Sequence, residues 1–229
     1  MAIYAIGDTH LSLGSNKSME VFGIGWENYV ERLREGFTEI NDDDTVVLCG
    51  DLSWGMSLQE AEKDFAFLNN DLPGKKLILK GNHDYWWGTA NKMNKFFSEK
   101  GFDKIGILHN NCAFYGETAL CGTRGWFFEE NGTPHWEKIF NRELLRLEAS
   151  LKAAGESEKI CFLHYPPLYK GYHCQEIIDL MEKYAVTACY YGHLHGPSHR
   201  LAIQGIQNGI NYQLVSADFI GFKPKKILE

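Results

Sequence analysis

Three apolar runs in the first 84 residues each stop at a glycine followed by an acid or an amide. Ile3-Tyr4-Ala5-Ile6 runs into Gly7-Asp8-Thr9-His10, Thr45–Cys49 into Gly50-Asp51, and Lys76–Lys80 into Gly81-Asn82-His83-Asp84. The segments between them carry apolar residues at helical spacing. Trp26, Tyr29, Val30, Leu33, Phe37 and Ile40 predict a helix over 26–40. Ser57 with Glu60 reads as a capping box opening a second helix, with Leu58, Ala61, Phe65 and Leu68 on one face. Strands alternating with helices specify a parallel sheet of crossover units, an α/β fold. Such sheets bind ligands beyond the carboxyl ends of their strands, where these polar groups lie.

The remaining chain continues in kind. A helix-like segment to about Lys100 precedes strand signals at Ile105–Leu108, Cys112–Tyr115 and Thr118–Cys121. Thr133-Pro134 caps a helix whose buried face is Trp136, Ile139, Phe140, Leu144, Leu147 and Leu151, ended by Gly155. Lys159–Leu163 reads as a strand delivering His164. Residues 174–184 read as a short helix, and Ala188–Tyr191 as a strand delivering Gly192-His193-Leu194-His195. Residues 199–216 alternate like a hairpin turning at Asn208-Gly209. The triplet Asp42-Asp43-Asp44 reads as a solvated turn, and Lys223-Pro224-Lys225-Lys226 as a frayed or surface-lying tail. No linker or repeat interrupts the pattern. One domain over 1–229 is expected, with the motifs within 1–216 and a C-terminal tail at 217–229.

Composition narrows the function. The net charge of −7 disfavours a nucleic-acid partner, because backbone binding relies on clustered Lys and Arg. A small phosphorylated substrate stays open, since a bound metal supplies local positive charge. No apolar run approaches the roughly 20 residues that span a bilayer, so no membrane partner is expected. The first residues show no basic stretch or cleavage site, so no signal peptide is expected. The six cysteines form no CxxC pair, and four sit in strand-like runs, which places the chain in a reducing cytoplasm. The oligomeric state is not legible.

Singly, the polar groups say little. An Asp-x-His at a strand end is more often a cap, and a histidine before Pro-Pro is as often a core residue. His193 and His195 are stronger, because residues two apart in an extended segment point the same way. Jointly, five strand ends deliver ligand-type residues. The donors are oxygen and imidazole nitrogen without thiolate, which suits Mn²⁺ first and Fe, Zn²⁺ or Co²⁺ after it. Asp8, His10, Asp51, Asn82, His164, His193 and His195 are too many donors for one ion; two divalent ions sharing a carboxylate absorb them.

This ordered set, Gly7-Asp8-Thr9-His10, Gly50-Asp51, Gly81-Asn82-His83-Asp84, His164 and Gly192-His193-Leu194-His195, resembles the calcineurin-like metallophosphoesterase superfamily over roughly residues 1–216. The resemblance implies two packed mixed β-sheets flanked by helices. It implies that Asp8, His10 and His195 hold one metal, that Asn82, His164 and His193 hold the other, and that Asp51 bridges them. It further implies hydrolysis of a phosphomonoester or phosphodiester of a small molecule or nucleotide by a dimetal-activated hydroxide, with His83 as general acid. Asp84 is grouped with His83 as a supporting residue. The arginines and the extra aspartate of the superfamily's protein phosphatases are missing, which disfavours a phosphoprotein substrate. Trp54 and Trp86 are expected to wall the substrate and Arg124 to clamp a phosphate, although packing and fold-holding roles are the plainer readings. Two other functions are carried forward: a DNA or RNA nuclease, and a catalytically silent scaffold of the same fold. The scaffold is expected to lack ligands, and none is missing.

Overall fold

The computed structural model of the protein describes residues 1–126 and 133–229. Its first strands are β1 (Ile3–Ile6), β2 (Thr45–Leu48), β3 (Lys75–Ile78) and β4 (Ile105–Ile107). Next come β5 (Cys112–Tyr115), β6 (Thr118–Thr123), β7 (Glu158–Leu163) and the small hairpin β8 (Leu168–Tyr169) with β9 (Tyr172–His173). The last are β10 (Val186–Tyr191), β11 (Gly205–Gln207), β12 (Ile210–Leu214) and β13 (Lys225–Leu228). The helices are α1 (Tyr29–Gly36), α2 (Glu62–Ala66), α3 (Ala90–Lys100), α4 (Pro134–Ala153) and α5 (Gln175–Lys183).

One sheet runs β13-β1-β2-β3-β4 and the other β11-β12-β10-β7-β6-β5. Pairings are parallel except at the margins, where β13 on β1, β11 on β12 and β5 on β6 are antiparallel. The two-residue period of a strand explains how the sheets stack. Ile3, Ala5, Val47 and Leu77 face Leu120, Ile160, Phe162 and Tyr190 of the other sheet. Their neighbours Ile6, Val46, Leu48 and Ile78 turn outward onto Leu33, Phe37, Phe65 and Phe97. On the far side, Cys121, Cys161, Leu163 and Cys189 pack on Leu147, Leu151, Ile178 and Met181. The result is two mixed sheets flanked by helices. Strands buried on both faces read as unbroken apolar runs, and all six cysteines are free. Among the described residues, no helix is long and apolar enough to cross a membrane.

Several local expectations need correcting. The helix over 26–40 is shorter: Trp26 lies on a 3₁₀ turn, and α1 begins only after Asn28, whose φ of 51° interrupts the helical path. Ser57 and Glu60 do form their capping pair, but the turn they open becomes regular only at Glu62. The tail is not frayed, because Lys225–Leu228 adds an edge strand to β1. The acidic triplet is split in role. Asp44 is buried and accepts the Ala2 N–H (2.6 Å) and the Asn41 N–H (2.9 Å), so it staples the chain's start to the turn before β2.

The loops after β1 and β2 run together. His10 and Leu11 donate to the carbonyls of Asp51 and Leu52 (2.9 and 2.8 Å), and Trp54 donates to Leu11 (2.9 Å). Asp64 holds this pair of loops from below. Its buried carboxylate accepts the Leu13 N–H (2.7 Å) and the Ser53 hydroxyl. Burial raises its pKa to about 6 even against these donors. Asp64→Ala strands buried donors, and each costs about 1–3 kcal/mol. It is expected to lower stability by roughly 2–3 kcal/mol in a denaturant titration at pH 7.5; a change under about 0.5 kcal/mol would show that the loops hold without it.

Candidate metal centre

The expected ligands converge at the carboxyl ends of strands from both sheets. Asp8 and His10 follow β1, Asp51 follows β2, Asn82 and His83 follow β3, His164 follows β7, and His193 and His195 follow β10. Four of these residues have left-handed backbone: Asp8 (φ 59°), His10 (45°), Asp51 (51°) and His193 (74°). Such strain at non-glycine positions collects where the surroundings over-determine it. Close approach is equally demanding. A Cβ on Gly81 would lie 2.0 Å from Asp51 Oδ1, and one on Gly192 would lie 2.4 Å from Asp8 Oδ2.

The donors form two overlapping groups. Ligand atoms of Asp8, His10 and His195 lie within 4.8 Å of one another, and so do those of Asp8, Asp51 and His164. In the first group His10 Nε2 stands 3.4 Å from His195 Nε2 and 3.8 Å from Asp51 Oδ2. In the second, His164 Nε2 is 3.5 Å from Asp51 Oδ2 and 2.6 Å from Asn82 Oδ1. His193 Nδ1 reaches the same amide oxygen at 3.0 Å. The protein sets the imidazole tautomers. Because Cys49 O can only accept, His164 Nδ1–H donates to it (3.0 Å), and Nε2 turns a lone pair inward. That lone pair then meets an acceptor oxygen, an opposition that a cation between them resolves. His195 Nδ1 is held by Asp218 Oδ1 at 3.0 Å, again leaving Nε2 toward the cluster.

Electrostatics agree. Burial drives His10 well below the ordinary imidazole range and lowers His164 and His193 to about 3, so all three are neutral donors. Burial, with Asp84 and Asp8 nearby, raises Asp51 well above the carboxylate range. Burial opposes charge on His195, yet Asp8 and Asp218 outweigh it and raise the pKa to about 10. A proton on His195 therefore does part of the neutralising that a divalent ion would do, and ion and proton compete for it. The donor set fits two divalent ions.

His83 belongs to the rim. Its N–H donates to Asp51 Oδ1 (2.7 Å), and its half-buried ring lies 5.8 Å from His10 and 4.6 Å from Trp54. Asp84 is wholly buried beneath the loops. Its carboxylate accepts N–H groups of Gly81 (2.7 Å), Leu52 (2.8 Å), Asp51 (2.9 Å) and Trp86 Nε1 (3.1 Å). It fixes two ligand loops against each other and is a positioning residue.

The substrate-contact expectations divide. Trp54 stacks on His10, with ring centroids 5.0 Å apart. Trp86 is only 4% exposed and lies edge-on to Phe65 in the core, so the wall role is corrected: it supports Asp84 instead. The Arg124 guanidinium ion-pairs with buried Glu143 (3.3 Å) and lies over Trp126 (4.6 Å). Its carbonyl accepts the N–H groups of His164 (3.1 Å) and Tyr165 (2.9 Å). The arginine orients a ligand through its backbone, and its guanidinium shares the single Glu143 carboxylate with Arg146.

Asp218 is the residue that sequence reasoning missed. Beyond His195 it accepts the Gly196 N–H (3.0 Å) and lies 3.2 Å from His199 Nε2. The signal is there in the chain, since Leu214-Val215-Ser216-Ala217-Asp218 is another apolar run ending on an acid. Trp26 has the spacing of a helix-face residue, yet its ring lies 5.7 Å from His195 and 5.8 Å from His10.

A family model described as calcineurin-like phosphoesterase matches residues 1–197. Among solved structures, the chain is similar to a protein of unknown function from Aquifex aeolicus, with 14% identity, 98% of this chain and 95% of that one covered, and a TM-score of 0.54. It is also similar to a protein from Thermus thermophilus, with 14% identity, coverage of 99% and 97%, and a TM-score of 0.49. A third is a purple acid phosphatase from yellow lupin (Lupinus luteus) seeds, with 15% identity, coverage of 100% and 45%, and a TM-score of 0.46. No protein of curated function matches the sequence.

Proposed function

This chain belongs to the calcineurin-like phosphoesterase family, and from that premise we propose that it is a cytoplasmic hydrolase of a small-molecule or nucleotide phosphomonoester or phosphodiester. The observation that carries the reading is the pair of donor groups sharing Asp8, with His83 beside them at an open cavity. In this reading Asp8, His10 and His195 would hold one divalent ion and Asn82, His164 and His193 the other, and Asp51, which faces both His10 and His164, would serve both. Bound there, two ions supply Lewis-acid polarisation of phosphoryl oxygens and lower the pKa of water toward neutrality. Mn²⁺ is the first choice for a mixed oxygen and nitrogen set, before Fe, Zn²⁺ or Co²⁺.

The chain's own groups do the rest. His83 carries the proton for the leaving oxygen, and its ring needs no part in ligation. Its place follows from its N–H bond to Asp51, which ties the acid to the centre of the ligand set. Asp218 holds His195, the Cys49 carbonyl holds His164, and Asp84 holds the loops bearing Asp51 and Asn82, so little reorganisation accompanies the reaction. Six unpaired cysteines, five of them buried, support the reducing compartment.

The test is turnover. Mn²⁺-loaded protein is expected to hydrolyse p-nitrophenyl phosphate or bis-p-nitrophenyl phosphate, and protein stripped with a chelator is expected to lose at least about 99% of that rate, regained on adding Mn²⁺. No turnover with either substrate under any of the four metals sinks the proposal.

A further inference from the structure

A cavity of about 550 Å³ opens directly over the centre. This lies within the roughly 300–1,000 Å³ typical of small-molecule sites. Its floor includes His10, His83 and His195, and its walls include Met19, Phe22, Trp26 and Trp54. Among the described residues, the one carboxylate that borders it, Asp218, is bonded to His195 Nδ1 and to the Gly196 N–H. A second cavity of about 300 Å³ lies on the same Phe22 and Trp54 side chains. Of its lining residues Val21 (80% exposed) and Phe22 (69%) stand in solvent, and Ile24, two positions on, is 85% exposed. Apolar surface of this kind, joined to a concave site, marks a binding groove.

We propose that this cavity takes an apolar leaving group, so that the substrate is an amphiphilic phosphoester with its phosphate at the floor of His10, His83 and His195 and its hydrocarbon against Phe22, Trp26 and Trp54. The inference rests on the phosphoesterase reading and deepens it. The side follows from the chemistry. Hydrolysis breaks the bond between phosphorus and the leaving oxygen, water supplies the new P–O bond, and the proton from His83 goes to the departing alkoxide. The alcohol part must therefore lie on the His83 side, and His83 lines this cavity. A polar edge laid against Met19 and Phe22 would go unpaired there, which is costly. A hydrocarbon chain demands no partner.

The experiment uses full-length, Mn²⁺-loaded protein with monomeric n-alkyl phosphates and their methyl diesters, from ethyl to octyl. Each buried methylene is expected to raise kcat/KM about threefold to fourfold, mainly through KM, until the cavity is filled. Phe22→Ser, at an exposed position where folding is not at risk, is expected to lower the octyl value about tenfold more than the ethyl value. A series flat with chain length, or a slope that Phe22→Ser leaves intact, overturns the inference. Turnover of p-nitrophenyl phosphate alongside a flat series condemns the inference alone, whereas no turnover of any ester condemns the phosphoesterase reading with it. A dimer in sedimentation that Ile24→Ser dissolves, together with a flat series, assigns the apolar edge to a second copy of the chain and likewise overturns it.

Discussion

Asp51→Asn is expected to reduce turnover by at least about 10³-fold and to lower metal content below two ions per chain, while the metal-free protein gains stability. The three effects share one cause. Asn tolerates the left-handed backbone that Asp51 adopts at φ 51°. Its amide oxygen still accepts the His83 N–H that now bonds to Oδ1 at 2.7 Å. What disappears is the charge facing His10 and His164 at 3.8 and 3.5 Å. Several kcal/mol of charge stabilisation, at roughly 1.4 kcal/mol per tenfold, gives the rate loss. The stability gain comes from the same charge. Burial first, then Asp84 and Asp8, raises the native pKa of Asp51 well above its ordinary 3.8. The native carboxyl thus holds its proton more tightly than the unfolded chain does. The metal-free fold loses stability as pH rises from about 4 toward that raised value, and the loss is in force at neutral pH. Calorimetry of chelator-stripped samples at pH 7.5 is expected to show a higher Tm for Asp51→Asn than for the wild type. Two ions bound and activity within tenfold of wild type would remove Asp51 from the shared position.

The second large effect separates acid catalysis from ligation. His83→Ala is expected to lower kcat by about 10²–10⁴-fold, the usual worth of a positioned general acid. Metal content is expected to stay at the wild-type value. The ring of His83 is not among the donor groups of the centre, and its tie to Asp51 runs through the backbone N–H, which alanine keeps. The penalty is expected to be larger for alkyl phosphates than for p-nitrophenyl phosphate, whose leaving group departs with little need of a proton. Loss of bound metal in this variant would place His83 among the ligands, and an equal penalty for both substrates would take the proton-transfer role from it.

How far the sequence could be read depended on whether a residue's role followed from local pattern. The strand ends were legible because a strand buried on both faces must be apolar throughout and must stop where polar groups begin, so Asp8, Asp51, Asn82 and His164 stood out. Asp218 ends a run in the same way but has no neighbouring ligand residue to draw attention, and its partner His195 is 23 residues away. Trp54 and Trp86 look alike in sequence, each beside a ligand motif. One stacks on His10 and the other is buried on Phe65, a difference set by which way each loop turns. Arg124 has the chemistry of a phosphate clamp, and only the fold shows that it shares Glu143, buried on α4, with Arg146. The charged tail Lys225-Lys226 resembled a frayed end, yet β1 offered an open edge and the backbone took it.

The sequence by itself determined the alternation of strand and helix, the identity of the ligand-type residues and their order along the chain. These follow from period, burial and side-chain chemistry, which are local. Only the tertiary structure decided which donors share a centre, which tautomer each imidazole presents, and where the apolar opening lies. Those depend on atoms far apart in the chain brought together, Asp8 Oδ1 to His195 Nε2 at 3.4 Å, Cys49 O to His164 Nδ1 at 3.0 Å, and Asn82 Oδ1 to His193 Nδ1 at 3.0 Å. Such contacts exist only after two sheets have packed face to face and forced four residues into backbone conformations that no local preference selects.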